Sequence, residues 1–228
     1  MSVNRYPRPV RDVHQIELTT RCNMRCRYCP SPQKLRPHED MVWETYEAAL
    51  DLVKFYARQG TQTELSLTGI GESLMYPRFL EAVAAARVAI GPQRALVITT
   101  NGILLDDVMA QSLSKFAPQV YVSLHRPEKA GPAIEAAKRA GIFKGSNPAP
   151  SISAFNWAGQ VKWHVSAPRT LCDYLRLGWA VVLVDGRVTT CCLDATGDGT
   201  FGTVWDNPES LCMSPWKLCE SCHMEVPR

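Results

Sequence analysis

The sequence predicts an α/β fold with a mostly parallel sheet, followed by a small cysteine-rich module built on a β-hairpin. Three observations predict it. Strand-like and helix-like segments alternate as far as Gly141, the pattern of parallel strands joined by crossover helices. That rhythm fails after Gly141. Six of the nine cysteines then lie in the last quarter of the chain, around an Asp185-Gly186 turn signal.

Taken in order, Val13–Thr19 reads as the first strand. Val42, Tyr46, Ala49, Leu50, Val53 and Tyr56 recur at helical spacing, with Gly60 as C-cap. Leu65–Thr68 is the second strand. Leu80, Val83, Ala84 and Val88 mark the next helix, stopped by Gly91-Pro92. Ala95–Thr100 is the third strand, and Asp106 is placed to cap the helix after it. Val120–Leu124 is the fourth strand. Pro132–Ala140 is the fourth helix, closed by Gly141. The run Gly145-Ser146-Asn147-Pro148-Ala149-Pro150 breaks regular structure. Two short strands follow, near Ser151–Phe155 and Val161–Val165, with too little chain for two more full βα units. Composition changes at about Arg169. Trp179–Val184 and Arg187–Cys192 then flank Asp185-Gly186 as a hairpin. The expected division is 1–168 and 169–228.

The longest uninterrupted apolar run, Trp179–Val184, is far too short to span a bilayer. The N-terminus carries no apolar signal-peptide core, so a cytoplasmic location is expected. There, an odd number of cysteines favours metal ligation over disulfides.

The stretch Arg21-Cys22-Asn23-Met24-Arg25-Cys26-Arg27-Tyr28-Cys29-Pro30 is a C-x3-C-x2-C loop directly after the first strand. Three thiolates on one short loop can hold three irons of a 4Fe–4S cube and leave the fourth open. An electron-transfer cluster would normally have a fourth cysteine. A zinc loop is the alternative, although zinc sites usually show paired C-x2-C knuckles.

This loop resembles that of the radical S-adenosylmethionine (SAM) enzymes, where it follows the first strand of a partial (βα) TIM-like barrel. The resemblance implies a catalytic 4Fe–4S cluster on Cys22, Cys26 and Cys29. SAM would chelate the open iron through its methionine amino and carboxylate groups. Its reductive cleavage would give a 5′-deoxyadenosyl radical that takes a hydrogen atom from the substrate. An electron donor of flavodoxin or ferredoxin type is implied as well, and Tyr28 would lie near the adenine.

In parallel α/β folds ligands bind at the C-terminal strand ends. After strand two, Gly69-Ile70-Gly71-Glu72 resembles the family's glycine-glycine-glutamate motif, implying contact with the methionine amino group. A plain βα turn would read the same way. After strand three, Asn101 is implied as a ribose contact, and an Asn-Gly turn is the alternative. After strand four, Ser123 is implied near ribose or carboxylate. His125 and Arg126 would then point toward substrate as catalytic candidates, although a lone His is more often structural. The order of these signals, each at a strand end, strengthens them jointly.

The later cysteines resemble the front half of a SPASM domain, in the shortened form called a twitch domain. The implied ligands of its auxiliary 4Fe–4S cluster are Cys172, Cys191, Cys219 and Cys222. Four thiolates leave no open iron, so such a cluster passes electrons or supports the fold. Cys191 and Cys192 are adjacent on a strand and point to opposite faces, so one is a ligand and the other is not. Cys212 remains a possible replacement, and a structural four-cysteine zinc site remains the alternative. The combined layout is similar to that of the deoxy-scyllo-inosamine dehydrogenases of aminoglycoside biosynthesis.

Charge is uneven. Residues 1–36 hold eight cations against Asp12 and Glu17, a local +6 in a chain of net +3. A basic rim suits phosphates or an acidic electron donor; a solvated basic surface is the plainer reading. The leading expectation is oxidation of a small polar metabolite, with the auxiliary cluster as electron acceptor. Radical modification or rearrangement of a nucleotide or nucleic-acid base comes second, and peptide maturation third. A non-catalytic scaffold would leave the strand-end motifs without a purpose.

Overall fold

The computed structural model describes residues 6–33, 35–60, 63–148, 157–160, 170–222 and 224–227. Strand β1 (Asp12–Ile16) leads through the cysteine loop to helix α1 (Trp43–Ala57). Then come β2 (Leu65–Ser66), α2 (Phe79–Ile90), β3 (Leu96–Thr100), α3 (Asp107–Ser114), β4 (Gln119–Ser123) and α4 (Pro127–Arg139). Strand β5 (Phe143–Asn147) follows α4. Beyond it lie the short helix α5 (Asp173–Leu177), strands β6 (Trp179–Val182), β7 (Arg187–Thr189) and β8 (Thr200–Thr203), and α6 (Lys217–Ser221).

One eight-stranded sheet runs in the order β8-β7-β6-β1-β2-β3-β4-β5. Every pairing from β6 across to β5 is parallel. The β6–β7 and β7–β8 pairings are antiparallel. The protein is therefore a partial (βα) barrel whose C-terminal hairpin extends the same sheet. The apolar residues of β1 to β4 supply the core, with Val13, Ile16, Leu65, Leu96, Ile98, Val120 and Val122 all buried. Tyr46, Ala49, Leu50 and Val53 of α1 face it from outside, as the helical spacing requires.

At the N-terminal edge of the strands sits a buried ion pair. Arg94 donates to Asp12 Oδ2 at 2.9 Å and to the Val13 carbonyl at 2.8 Å, and the Thr63 hydroxyl also reaches Asp12. A charge buried this deeply needs such a partner. Two short pairings, Arg8–Pro9 with Cys212–Met213 and Thr170–Leu171 with Met224–Glu225, tie the chain's two ends onto the body.

Three expectations are corrected. Gly145, Ser146 and Asn147 do not break the fold: they form β5, in register with Tyr121, Val122 and Ser123 of β4. Helix α4 begins at Pro127, which takes the first-turn position, and Pro132 lies inside the helix. The hairpin is shorter than read. Its Gly186 has φ of 85° at the turn, and Asp185 Oδ1 accepts from the Arg187 N–H at 3.1 Å. The strands read at Ser151–Phe155 and Val161–Val165 lie outside the described residues.

Candidate active site

The cysteine loop is rooted by hydrogen bonds at the end of β1. Thr20 Oγ1 donates to the Pro37 carbonyl at 2.7 Å, and Thr19 Oγ1 to Asp40 Oδ1 at 2.7 Å. Arg21 makes a two-pronged contact with Asp40, at 3.0 and 2.6 Å, and donates to the Met75 carbonyl at 3.1 Å. Arg21 is thus a loop clamp, although the sequence offered it as part of a basic rim. Backbone N–H groups of Met24 and Ser31 lie 3.4 Å from the sulfurs of Cys22 and Cys29. Donors aimed at sulfur stabilise thiolate. Burial acts the other way: it raises Cys22 and pushes Cys29 up to about 11. Such thiols become thiolates when a cation takes the protons' place, so the loop fits an iron–sulfur cluster.

Beside the loop lies a cavity of about 170 Å³. It brings together Cys22, Cys26, Cys29, Tyr28, Gly69, Gly71, Glu72, Asn101, Ser123 and His125. Residues from four separate stretches of sequence therefore meet at one edge of the sheet. The Glu72 N–H donates to the Arg21 carbonyl at 2.8 Å and fastens the Gly69–Gly71 turn to the cysteine loop. Its buried carboxylate accepts from Thr100 Oγ1 at 2.7 Å and from the Asn101 N–H at 2.8 Å. Burial raises Glu72, while these donors lower it. A carboxylate so enclosed, with no cation among its partners in the described residues, suits a ligand that brings a positive charge. Asn101 Nδ2 donates to Asn23 Oδ1 at 2.7 Å, which ties the end of β3 to the loop.

The Tyr28 and His125 rings lie 5.1 Å apart at the cavity's side. Burial lowers His125, so its ring is neutral at pH 7, and its buried Nδ1 has no partner among the described residues. Arg126 does not join the cavity. It precedes α4 and pairs at the surface with Glu128, at 2.9 Å.

Thr68, Thr99, Thr100, Met24 and Trp157 also line the cavity, and sequence reasoning did not single them out. The two threonines of β3 had a usable signal, since they precede Asn101 at a strand end. Glu17 and Arg36 were missed differently, because in the sequence they are merely two charges. Here Arg36 grips Glu17 at 2.7 and 3.0 Å in the interior. Glu17 also accepts from the N–H groups of Ile70 at 3.0 Å and Val184 at 3.3 Å. Arg36 is therefore no part of a solvated basic rim. Of the residues nearby, Arg25 and Arg27 are exposed.

A second, small apolar cavity lies near α5 and α6. Cys172, Cys191, Cys219 and Cys222 all line it, with Leu175, Trp216 and Val226. Cys192 and Cys212 do not. Cys212 sits in register with Pro9 instead. Cys191 and Cys192 are not on a strand as read: β7 ends at Thr189, the chain turns there, and the two side chains hydrogen-bond to each other instead of facing opposite ways. Among the described residues, no three His, Cys, Asp or Glu side chains are close enough to hold a single metal ion. A tetrahedral zinc would need four sulfurs each about 2.3 Å from one centre. A cube spreads its thiolates over separate irons and needs more room.

The family model described as the radical SAM superfamily matches residues 16–167. The chain belongs to the radical SAM superfamily. As a radical SAM protein it uses a 4Fe–4S cluster and SAM. Among solved structures, BtrN in complex with AdoMet and 2-DOIA has a TM-score of 0.70 at 20% identity, over 86% of this chain and 79% of that one. Native anSMEcpe with bound AdoMet and Cp18Cys peptide has a TM-score of 0.61 at 15% identity, over 88% of this chain and 79% of that one. At such identities the likeness is one of fold.

Curated relatives match by sequence over a shorter span. The Bos taurus molybdenum cofactor biosynthesis protein 1 is 36% identical over 112 residues, 48% of this radical SAM chain and 17% of that protein. The GTP 3′,8-cyclase of Synechococcus sp. (strain CC9605) is 37% identical over 117 residues, 48% of this chain and 32% of the cyclase. The chain thus spans less than a third of either relative's length. No helix among the described residues is long and apolar enough to cross a membrane.

Proposed function

We propose that this radical SAM enzyme oxidises a small polar metabolite, and that an auxiliary 4Fe–4S cluster accepts one of the two electrons. One observation carries the reading: Cys172, Cys191, Cys219 and Cys222 line a cavity of their own, apart from the one lined by Cys22, Cys26 and Cys29. Four cysteine ligands close a cluster to substrate, so its use is to move electrons or support the fold. In this reading residues 1–168 hold the SAM site and 169–228 the auxiliary cluster.

When bound, the first cluster and SAM supply a radical that abstracts a hydrogen atom. The chain's residues do the rest. Glu72 and Asn101 fix the strand ends against the cysteine loop and present polar groups to SAM. Ser123, which lines the same cavity, would contact ribose or carboxylate. Oxidation of a carbinol releases one hydrogen atom, one proton and one electron. His125, neutral and with Nδ1 unpartnered among the described residues, takes the proton. The auxiliary cysteines hold the acceptor of the electron.

Anaerobically reconstituted protein should contain about eight irons, as two cubes. Replacing Cys219 and Cys222 by Ala should leave about four irons, keep SAM cleavage and stop net oxidation. One zinc with four irons in the wild type would overturn this assignment.

The GTP 3′,8-cyclase relatives favour a second reading, a nucleotide substrate. Exposed Arg25 and Arg27 on the cysteine loop would then meet its phosphates. Nucleotide affinity unchanged by Arg25→Gln with Arg27→Gln would remove it.

A further inference from the structure

The wall of the auxiliary cavity is one residue thick on its basic side. Leu175 and Val226 line the cavity, and so does Cys172. Their chain neighbours Arg176, Pro227 and Leu171 line a separate open cleft of about 480 Å³ on the other side. The parallel pairing of Thr170–Leu171 with Met224–Glu225 builds this wall.

Among the described residues three arginines line the cleft: Arg8, Arg11 and Arg176. Arg8 donates to the Leu175 carbonyl at 3.1 Å, so it is held against the wall itself. Arg11 is exposed, and its N–H donates to the Gly178 carbonyl at 2.8 Å. Arg176 is about half exposed and shares its charge with Asp173 at 2.6 Å. Glu225 is exposed nearby but does not line the cleft. The cleft remains cationic, and Leu171, 51% exposed, gives it an apolar edge.

A closed cluster that accepts an electron at each turnover must lose it before the next. We propose that this cleft docks a small acidic one-electron carrier protein of the flavodoxin or ferredoxin type, which takes that electron from the auxiliary cluster. The inference rests on the auxiliary-cluster reading above. The step balances: the reduced cluster loses one electron, and the oxidised carrier gains it. Cationic rim and acidic partner steer the encounter, and the thin wall keeps the transfer path short. The site is distinct from the Arg25–Arg27 face, where a donor would approach the catalytic cluster.

The test uses the reconstituted full-length protein with oxidised flavodoxin as probe. Hydrogen exchange should slow in residues 170–178 when flavodoxin is added at low salt. Arg11→Glu with Arg176→Glu should weaken flavodoxin binding at least about tenfold and flatten its salt dependence. Iron content and SAM binding should not change. Arg25→Glu with Arg27→Glu should leave the protection at 170–178 in place. Eight irons with protection confined to the cysteine loop, or with affinity unmoved by the Arg11 and Arg176 changes, would overturn the docking site alone. Four irons in the wild type would remove the auxiliary cluster and the docking role with it.

Discussion

Gly71 shows how closely two backbones approach at the candidate active site. A Cβ there would overlap the Thr19 carbonyl oxygen and stand 2.7 Å from that of Arg21. Both are main-chain atoms at the root of the cysteine loop and cannot swing aside. Gly69 faces the Glu17 side chain in the same way, its Cβ position 2.6 Å from Oε1. The glycines thus do more than open a path to a ligand's ammonium; they let the turn lie against the loop. Gly71→Ala should push the turn off it, at a cost of about 1–3 kcal/mol of overpacking. SAM affinity, measured by equilibrium dialysis on the reconstituted protein, should fall about tenfold or more. Unchanged affinity would mean that the turn and the loop do not act together.

Among the elements, α3 follows its sequence signal and β5 does not. Asp106 Oδ1 accepts from the Met109 N–H at 2.8 Å, the side-chain cap expected at that position. Asp106→Ala should cost about 1 kcal/mol, read as a lower denaturant midpoint at constant slope. A wild-type midpoint would show the cap to be idle. In β5 the local propensities of Gly145, Ser146 and Asn147 argue against a strand. The ladder to β4 overrides them, and Gly145 lies directly beneath the Tyr121 ring, 3.3 Å from its Cβ position. A glycine that reads as a breaker is here a seat for an aromatic ring.

For the whole molecule, the return of the chain to β1 has a measurable consequence. Strand β6 pairs with β1 and brings Trp179 against His14, their rings stacked 4.5 Å apart. Burial, aided by the Arg94 charge, lowers His14 to about 4. The Glu64 carboxylate, 3.8 Å away and 44% exposed, is too well hydrated to reverse this. The folded-state value is below that of the unfolded chain, so unfolding takes up a proton between about pH 4 and 6.5. Stability from this group is full above 6.5 and lost as pH falls through that window. Between pH 7 and pH 5 the wild type should lose about 2 kcal/mol more than His14→Phe, which keeps the stack but cannot titrate. Equal losses in urea unfolding at the two pH values would refute it.

The sequence by itself determined the chemistry that spacing encodes. Cys22, Cys26 and Cys29 lie on one short loop, so local chain geometry suffices to bring them together. The alternation of strand and helix patterns likewise placed Glu72, Asn101 and Ser123 at one sheet edge, because parallel strands share a direction. Tertiary structure alone decided what depends on distant chain segments. It buried Arg36 against Glu17, sent Arg126 to the surface, and set Cys191, but neither Cys192 nor Cys212, in the wall of the second cavity. It also laid the C-terminal hairpin against β1. These outcomes rest on desolvation and register, which act between residues far apart in sequence and leave no local periodicity to read.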